Sequence, residues 1–434
     1  MPTLDSLDIT SEALINERGY PWKEWEQLRR EAPVYWYQRP NYEPFWALTK
    51  YEDLAWVAAN PHLFTVGQRV QIETPDEIEP FESERVRRAE LYGHPVDYHY
   101  GLPFMDPPGH LQVRKAIYPS FTAGGLKELE AKLKVLAVQH VAEFTELLDE
   151  RGHADVAHEL SAKLPLAALF DLLGVPEKDW EYLFTLHHQI ASAFSSGFKS
   201  LEGEDPQAAF MRLIMDLDDY MAQLVRTRMA EGGGDGKDVL SRLANARLNG
   251  ERLQFHDISY HFTNLVHAGN GTSRNAIVGG VKALLEHPEQ LRKLIDDPSL
   301  VDSAVEEILR WTSVGIVFAR VAKQDLEIRG QLIRKGETVA MVHPSANRDE
   351  DVFENPDVFD ITRSPNKHLA FGGAGEHRCI GNTLARFELR AMFNALLPLL
   401  PTLELNGESR LHVLRMVVAE YAELSVRRKK TTAA

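Results

Sequence analysis

The stretch Phe-Gly-Gly-Ala-Gly-Glu-His-Arg-Cys-Ile-Gly, from Phe371 to Gly381, holds the one cysteine among 434 residues. A lone cysteine cannot form an intrachain disulfide or a four-thiolate metal site. Cys379 is therefore a small buried hydrophobe, a nucleophile or a single thiolate ligand. The glycines of this stretch allow positive φ and a close approach of the backbone to a flat partner. Backbone N–H groups around Cys379 would hold its sulfur as an anion.

The residues that follow this loop have the pattern of a buried helix. After Gly381 the chain reads Asn-Thr-Leu-Ala-Arg-Phe-Glu-Leu-Arg-Ala-Met-Phe, and its apolar residues Leu384, Phe387 and Met392 recur at helical spacing. A cysteine at the start of a helix lies where the helix dipole favours negative charge. Among the three roles for Cys379, these features favour the thiolate ligand.

The loop resembles the haem-ligand loop of the cytochrome P450 family, Gly-x-His/Arg-x-Cys-x-Gly preceded by Phe. Gly375, His377, Cys379 and Gly381 match its defined positions, and Phe371 lies one place further from the cysteine than in the commonest form. This longer variant is similar to that of bacterial members that act on steroids and branched lipids. The resemblance implies haem b as the cofactor, with Cys379 as the axial thiolate that favours O–O cleavage.

Composition and charge exclude several classes of protein. With 44% hydrophobic and 26% charged residues, the chain is typical of a globular protein with a large core. The formal charge of −16 argues against broad nucleic-acid binding and against anionic membrane surfaces, but it leaves room for a local basic patch. We find no signal-peptide pattern and no run of about 18 apolar residues. We therefore expect a cytoplasmic protein without a membrane anchor, and the resemblance implies a bacterial type that acts as a monomer.

The periodicity predicts a single domain over residues 1–434, mainly α-helical with small β-sheets (α+β). Residues 1–125 mix helices and strands: a hairpin is predicted from Pro33–Tyr37 and Phe45–Thr49, and a helix from Tyr51–Asn60. Residues 66–105 lack clean periodicity, which in a compact enzyme usually marks a functional stretch.

The remainder of the chain is predicted to be mostly helical. Apolar residues at i, i+3 and i+4 predict helices from about Leu126 to Asn249, with a break at Phe194–Asp205 and a stop at Gly250. A long helix is predicted next, followed by a cluster of strands: His256–Glu286, then Val314–Ala322, Leu326–Ile328 and Thr338–Met341. This order resembles the family along nearly the whole chain, and it implies haem between the long helix and the cysteine loop.

Several cations match the residues that bind the haem carboxylates in the family. His110 and Arg114, in Asp-Pro-Pro-Gly-His-Leu-Gln-Val-Arg, are four apart and share a helix face. Arginine can bind one carboxylate bidentately. Arg320 and His377 match the other usual contacts, and each of the four is alternatively an ordinary surface charge. The resemblance also places Phe371 and Ala268 against the haem.

The sequence Ala-Gly-Asn-Gly-Thr-Ser, residues 268–273, resembles the oxygen-binding signature of the family. Thr272 is implied to hydrogen-bond bound oxygen or a water, and small residues at 268 and 269 to let the helix bulge. Gly271 replaces the usual acid that helps to bring in protons. His267, one turn earlier on the same face, is a candidate replacement, because imidazole titrates near neutrality. It alternatively bonds a polar substrate group, or is an ordinary core histidine.

Glu307 and Arg310 form Glu-x-x-Arg on a predicted helix, Ala304–Trp311. Such pairs are usually solvated surface charges, but the resemblance implies a buried structural pair. The third arginine of the family pattern is missing, because Val358 stands in its place. Arg348 and Arg363 are both open as its replacement.

The function implied by the resemblance is a monooxygenase that inserts one atom of O2 into a hydrophobic small molecule, of steroid, terpenoid, lipid-like or aromatic type. Electrons would come from NAD(P)H through a separate ferredoxin reductase and ferredoxin, docking near Arg378 and Lys115. A peroxide-driven enzyme and a non-catalytic haem-binding sensor are the alternatives. The pocket wall is predicted to include Tyr98, His99, Tyr100, Phe194, Ile316 and Val317.

Overall fold

The computed structural model describes residues 3–39, 42–67, 69–74, 83, 86–87, 90–91, 101–193, 206–414 and 416–430. The described structure is mainly helical, as predicted, and its helices are α1 Glu12–Arg18, α2 Trp22–Glu31, α3 Tyr51–Ala59, α4 Gly109–Ile117, α5 Lys127–Arg151, α6 Lys163–Leu173, α7 Trp180–Ala193, α8 Pro206–Ala230, α9 Val239–Asn245, α10 Phe255–Glu286, α11 Pro288–Asp296, α12 Val301–Thr312, α13 His343–Ala346 and α14 Asn382–Leu396.

The strands are short and belong to small sheets. They are β1 Val34–Arg39, β2 Tyr42–Leu48, β3 Phe64–Thr65, β4 His153–Asp155, β5 Arg247–Leu248, β6 Glu251–Arg252, β7 Val317–Ala322, β8 Leu326–Ile328, β9 Gln331–Ile333, β10 Thr338–Val342, β11 Leu403–Leu405, β12 Arg410–Leu414, β13 Val418–Glu423 and β14 Ser425–Arg428. Contacts divide the chain into two compact units. The first comprises Met1–Pro108, Gly279–Asn382 and Arg410–Tyr421, and the second Gly109–Val278, Thr383–Ser409 and Ala422–Ala434.

The first unit is built on a five-stranded sheet with the order β1-β2-β10-β7-β3. Strands β1 and β2 form the predicted hairpin, in which Val34 pairs with Leu48. Strand β10 runs parallel to β2 and antiparallel to β7, and all five of its residues are buried. A strand buried on both faces needs apolar residues without alternation, as Thr-Val-Ala-Met-Val supplies.

Each face of this sheet carries its own hydrophobic core. Phe45 and Ala47 of β2 belong to a cluster with Trp25 of α2. Leu48 belongs to a cluster on the other face, together with Leu369. Alternate residues of a strand point to opposite faces, which is why β2 contributes to both clusters. The second cluster therefore packs around the residue that leads into the cysteine loop.

The second unit is mainly helical, with helices α4 to α9, the residues of α10 up to Val278, and nearly all of α14. Its three-stranded sheet has the order β11-β14-β4. Helix α10 spans 32 residues, close to the predicted His256–Glu286. Among the described residues, no helix is long and apolar enough to cross a membrane.

Some expectations differ from the structure in their details. The last helix before α10 ends at Asn245, and Gly250 does not stop a helix. Asn249 (φ 53°) and Gly250 (φ 90°) form the turn between β5 and β6, since Asn-Gly is a strong hairpin signal. The strand predicted from Val314 begins at Val317. The predicted break at 194–205 lies outside the described residues, as does most of 75–100.

Candidate functional site

The cysteine loop of the first unit is held in shape by its own backbone. The N–H of Cys379 donates to the Phe371 carbonyl at 3.0 Å, and that of Gly372 to the Leu369 carbonyl at 2.9 Å. That neighbouring backbone N–H groups hold the Cys379 sulfur as an anion stays a prediction. The Asn382 side chain donates to the Cys379 carbonyl at 2.7 Å, which ties the loop to the start of α14. Cys379 itself is exposed.

Gly375 fastens this loop to the end of α3. Its φ is +104°, a conformation that side chains rarely adopt. A Cβ atom built at this position would lie 2.1 Å from the carbonyl oxygen of Ala58. Gly375, which matches the sequence pattern of the loop, is therefore needed because two backbone segments of the first unit approach closely at this point.

We predict that Gly375→Ala lowers the free energy of unfolding for two reasons. Alanine is disfavoured at positive φ, and its Cβ atom would clash with the carbonyl oxygen of Ala58. Gly336→Ala is the matched control, because Gly336 also has positive φ (+88°) but has open space around its Cβ position. The control should lose about 1–2 kcal/mol, and Gly375→Ala about 1–3 kcal/mol more. Equal losses in thermal or denaturant unfolding would show that the Ala58 contact is unimportant.

The Glu-x-x-Arg pair is a buried ion pair, as predicted. Arg310 donates Nε to Glu307 Oε2 at 2.8 Å and Nη2 to Oε1 at 2.7 Å, and both side chains are 0% exposed. The other Arg310 donors reach the carbonyls of Asn347, Pro356 and Val358 at 2.8–3.1 Å. Because every donor is satisfied, the pair is stable despite its loss of solvation.

Arg363 is the third member of this cluster. Its Nε lies 3.2 Å from Glu307 Oε2, and Asn366 donates to the same oxygen at 2.9 Å. Arg348 instead stacks between the rings of Trp22 and Trp311, with its guanidinium carbon 3.8 and 4.1 Å from their centres. The structure thus resolves the choice that the sequence left open.

The ion pair is linked to the cysteine loop through Asn347. This fully buried residue offers its carbonyl to Arg310, and its Oδ1 accepts from the backbone N–H of Leu369 at 2.7 Å. Leu369 in turn accepts the N–H of Gly372 within the loop. A continuous series of hydrogen bonds therefore runs from Glu307 to the loop that presents Cys379.

We predict measurable coupling between Glu307 and Arg363 in a double-mutant cycle. Glu307→Gln and Arg363→Met should each destabilise the protein, and their combination should differ from additivity by about 1 kcal/mol or more. Arg348→Met combined with Glu307→Gln is the control and should be additive within about 0.5 kcal/mol. Coupling to Arg348 rather than Arg363 in chemical denaturation would contradict this assignment.

Arg320 of β7 fits an anionic partner. Burial lowers the pKa of its guanidinium to about 10, partly offset by Asp106. Its side chain donates to the Ala319 carbonyl at 2.7 Å, and among the described residues no carboxylate lies within ion-pair distance of it. A desolvated cation without a salt bridge is costly, so a carboxylate from a bound group would stabilise it. Arg320 therefore suits the carboxylates of a haem.

The other predicted carboxylate contacts are distributed over both units. In the second unit, His110 and Arg114 lie one turn apart on α4, with His110 buried and Arg114 half-buried. The Arg114 guanidinium lies 6.0 Å from the ring of Tyr118. In the first unit, His377 is half-buried in the loop of Cys379 and Phe371. Their role toward haem stays a prediction.

The oxygen-binding signature lies on α10 in the second unit. The Thr272 hydroxyl donates to the Ala268 carbonyl at 3.0 Å, and Asn275 donates to the Gly271 carbonyl at 2.7 Å. Thr272, Ala268 and His267 are exposed, whereas Ser273 and Asn275 are buried. This polar face of the helix is therefore accessible, as the helical spacing predicted.

The predicted bulge in α10 is absent. The helix is α-helical from Phe255 to Glu286 without interruption. A Cβ atom at Gly269 would lie 2.9 Å from Leu169 Cδ1 of α6, so this glycine allows two helices to approach. Gly269, which was expected to let the helix bulge, is needed instead for the packing of α10 against α6.

His267 is accessible, so it is not an ordinary core histidine. Protein surrounding the ring still desolvates it and lowers its pKa, partly offset by Asp218. Its imidazole is therefore neutral at physiological pH, with one nitrogen carrying a proton and the other able to accept one. Whether it passes protons stays a prediction.

A buried carboxyl group that the sequence interpretation missed lies beside this segment. Glu388 of α14 is 1% exposed, and burial raises its pKa to about 8, against the opposing effect of a hydrogen bond with the Ser273 side chain. Ser273 directly follows Thr272. Glu388 lies four residues from both Leu384 and Met392, so its position on the apolar stripe could have revealed it.

We predict that Glu388→Gln changes the pH dependence of stability. The folded protein holds a proton on Glu388 that the unfolded chain releases above about pH 4.3. The wild type therefore loses about 1 kcal/mol per pH unit from this group between that pH and the folded pKa of about 8. The melting temperature of the variant minus that of the wild type should therefore increase from pH 5 to pH 8. The exposed Glu150→Gln is the control, and a constant difference between Glu388→Gln and wild type would contradict the assignment.

In the first unit, the accessible sulfur of the single cysteine lies on a loop that is hydrogen-bonded to a buried ion pair, as a thiolate ligand would require. The sequence matches the family described as Cytochrome P450 over residues 76–401. The chain belongs to this family, so the recognition, the fold and the haem-thiolate class predicted from the sequence are confirmed, and it is a P450 monooxygenase.

Its relatives include bacterial enzymes with named activities. A steroid monooxygenase of Rhodococcus jostii is 32% identical over 94% of this chain and 81% of its own. A methyl-branched lipid omega-hydroxylase of Mycobacterium tuberculosis is 34% identical over 85% and 82%. A Mycobacterium marinum cytochrome P450 solved in complex with pseudoionone is 32% identical, with a TM-score of 0.81 over 98% of this chain and 99% of that one.

Proposed function

We propose that this protein holds haem b and inserts one atom of O2 into an apolar small molecule of steroid, terpenoid, lipid-like or aromatic type. Electrons would come from NAD(P)H through a ferredoxin reductase and a ferredoxin. The observation that carries the proposal is the presentation of the exposed Cys379 by a loop fixed to the buried Glu307–Arg310 pair. A rigid first ligand is what a metal centre requires.

The chain supplies contacts for each part of the cofactor. Cys379 would bind the iron as a thiolate, and Arg320 would pair with a haem carboxylate, relieving its unpaired burial. His110, Arg114 and His377 are the further carboxylate contacts, with Phe371 and Ala268 against the ring. When bound, the haem supplies the activation of oxygen, and the protein sets access, orientation and protons.

Proton supply would use groups other than the missing acid at Gly271. The Thr272 hydroxyl donates a hydrogen bond to the Ala268 carbonyl, and it can donate to a bound molecule instead. Glu388 keeps a carboxyl proton at neutral pH beside Ser273. His267 carries a proton on the accessible face of the same helix. Two candidate donors thus lie near the threonine, Glu388 beside Ser273 and His267 on the accessible face of α10.

An apolar substrate is supported by the relatives and by the side chains of the second unit. The relatives are named for steroid and methyl-branched lipid substrates. Trp180 and Phe184 are half-buried and pack against the fully buried ring of Phe170, with ring centres 5.6–6.4 Å apart. Such residues bind flat or branched hydrocarbon surfaces. In the first unit, Ile316 and Val317, which were predicted to line the pocket, lie in the core instead; Tyr98, His99, Tyr100 and Phe194 lie outside the described residues.

The electron donor would be an acidic protein that binds locally basic positions. Arg378 of the first unit and Lys115 of the second are both exposed, and exposed cations attract an acidic partner even on a chain of net charge −16. The protein would act as a cytoplasmic monomer.

Peroxide is the second candidate oxidant, favoured by Gly271 in place of the acid. Turnover with the ferredoxin system but not with peroxide supports the proposal; turnover with peroxide alone, or no product at all, contradicts it.

We predict that Cys379 determines the spectrum of the reduced carbon monoxide complex. The wild type should absorb at the position characteristic of thiolate ligation, and Cys379→His should move the band to the position characteristic of imidazole. Gly381→Ala is the control, since its Cβ would lie 3.9 Å from the sulfur, an ordinary contact. It should keep the thiolate band. An unchanged spectrum in Cys379→His would refute the proposed ligation.

We predict that Thr272 controls the coupling of electron use to product formation. Thr272→Ala should bind substrate within about twofold of wild type, because the hydroxyl acts only as the reaction proceeds. Product formed per NAD(P)H oxidised should fall severalfold, with hydrogen peroxide released instead. Thr145→Ala is the control, because Thr145 makes the same bond to a carbonyl four residues earlier, at 2.7 Å, on α5.

The same measurement separates the two proton donors. Loss of coupling in His267→Phe, with Glu388→Gln unchanged, assigns supply to His267, and the reverse assigns it to Glu388. Gly271→Asp should improve coupling only if proton supply limits the wild type. Full coupling in Thr272→Ala would show that its hydroxyl serves the helix alone.

A further inference from the structure

A second histidine of the second unit lies close to the oxygen-binding segment of α10. Leu169 of α6 contacts α10 where Gly269 leaves space for it. The next residue, Phe170, has its ring centre 6.0 Å from that of His187 on α7. Adjacent residues of α6 thus touch α10 on one side and His187 on the other. The electrostatic influence of His267 on His187 agrees with this short separation.

His187 is a buried polar group that the described protein does not satisfy. Its side chain is 8% exposed, and its Nε2 has no hydrogen-bond partner among the described residues. An unsatisfied buried donor or acceptor costs about 1–3 kcal/mol. The aromatic ring of Phe170 beside it offers no strong partner. A polar atom of a bound molecule would remove this cost.

We propose that His187, together with the accessible His267, binds a neutral oxygen of the substrate, so that the preferred substrates are apolar alcohols or ketones rather than hydrocarbons, carboxylic acids or amines. This inference rests on the proposed function and specifies its substrate class. The two imidazoles would fix the polar end of the substrate. The molecule would then lie in one orientation over the accessible face of α10 that carries Thr272.

The charge state of the two imidazoles supports a neutral partner. Burial, with a contribution from His267, lowers the pKa of His187 to about 4, so it is uncharged at physiological pH. The pKa of His267 is lowered as well. A carboxylate beside the buried ring of His187 would gain no charged partner from it, and burying an unpaired charge is costly. A hydroxyl or carbonyl oxygen needs only a donor or an acceptor, which neutral imidazole supplies.

The test measures ligand binding to the ferric holoprotein by the shift of its haem absorption. Each ligand is one of a pair that differs by one oxygen: a cyclic terpene and its alcohol, and a steroid ketone and its deoxy analogue. The variants are His187→Phe, which keeps a ring against Phe170, and His187→Gln, whose amide replaces the ring nitrogen. His140→Phe is the control, because His140 is a half-buried histidine elsewhere in the second unit.

His187→Phe should weaken binding of the oxygenated member of each pair about fivefold to tenfold and leave the hydrocarbon unchanged or tighter. His187→Gln should restore part of the difference, and His140→Phe should not alter it. An equal change for both members of a pair, or none for either, would overturn the inference. These outcomes are read on protein with a normal thiolate carbon monoxide band, so a failure here is distinct from a failure of the proposed ligation.

Discussion

The buried ion pair between Glu307 and Arg310 is the interaction on which the geometry of the first unit depends. Two fully buried charges are stable only when every donor and acceptor is satisfied. Meeting that requirement brings in the backbone of 347, 356, 358 and 360 and the side chains of Arg363 and Asn366. Asn347 extends the constraint to Leu369, so the loop that presents Cys379 starts from a fixed point. A loop fixed in this way suits the proposed role of Cys379, because a metal site needs a rigid ligand.

Burial has different effects around Cys379 in the first unit and around Thr272 in the second unit. Around Cys379, backbone N–H and carbonyl groups form hydrogen bonds with one another, and the cysteine remains exposed. Around Thr272 the protein buries Glu388 without full compensation, which raises its pKa to about 8 and costs stability at alkaline pH. Perturbed carboxyl groups of this kind are concentrated at functional sites. The position of Glu388 beside Ser273 offers a proton store where the chain has lost the acid at Gly271.

The sequence predicted most of the fold because its signals were local. The cysteine loop, the hairpin of β1 and β2, and the long helix α10 follow from glycine positions and from periodicity. The sequence did not predict the roles of Gly269 and Arg348. These roles depend on Leu169 and on two tryptophans that are distant in sequence. Glu388 and His187 were missed for the same reason: a sequence shows a polar residue in an apolar stripe, but not whether anything satisfies it. Arg363 was one of two candidates until contacts with Glu307 were seen.

The central claim is that Cys379 is the thiolate ligand of the haem iron. Because the chain contains a single cysteine, growth on cysteine carrying heavy sulfur labels one ligand atom unambiguously. Resonance Raman spectra of the ferric holoprotein should then show the iron–sulfur stretching band moving to lower frequency relative to unlabelled protein. A band that does not move, or the absence of any sulfur-sensitive band, would contradict the account.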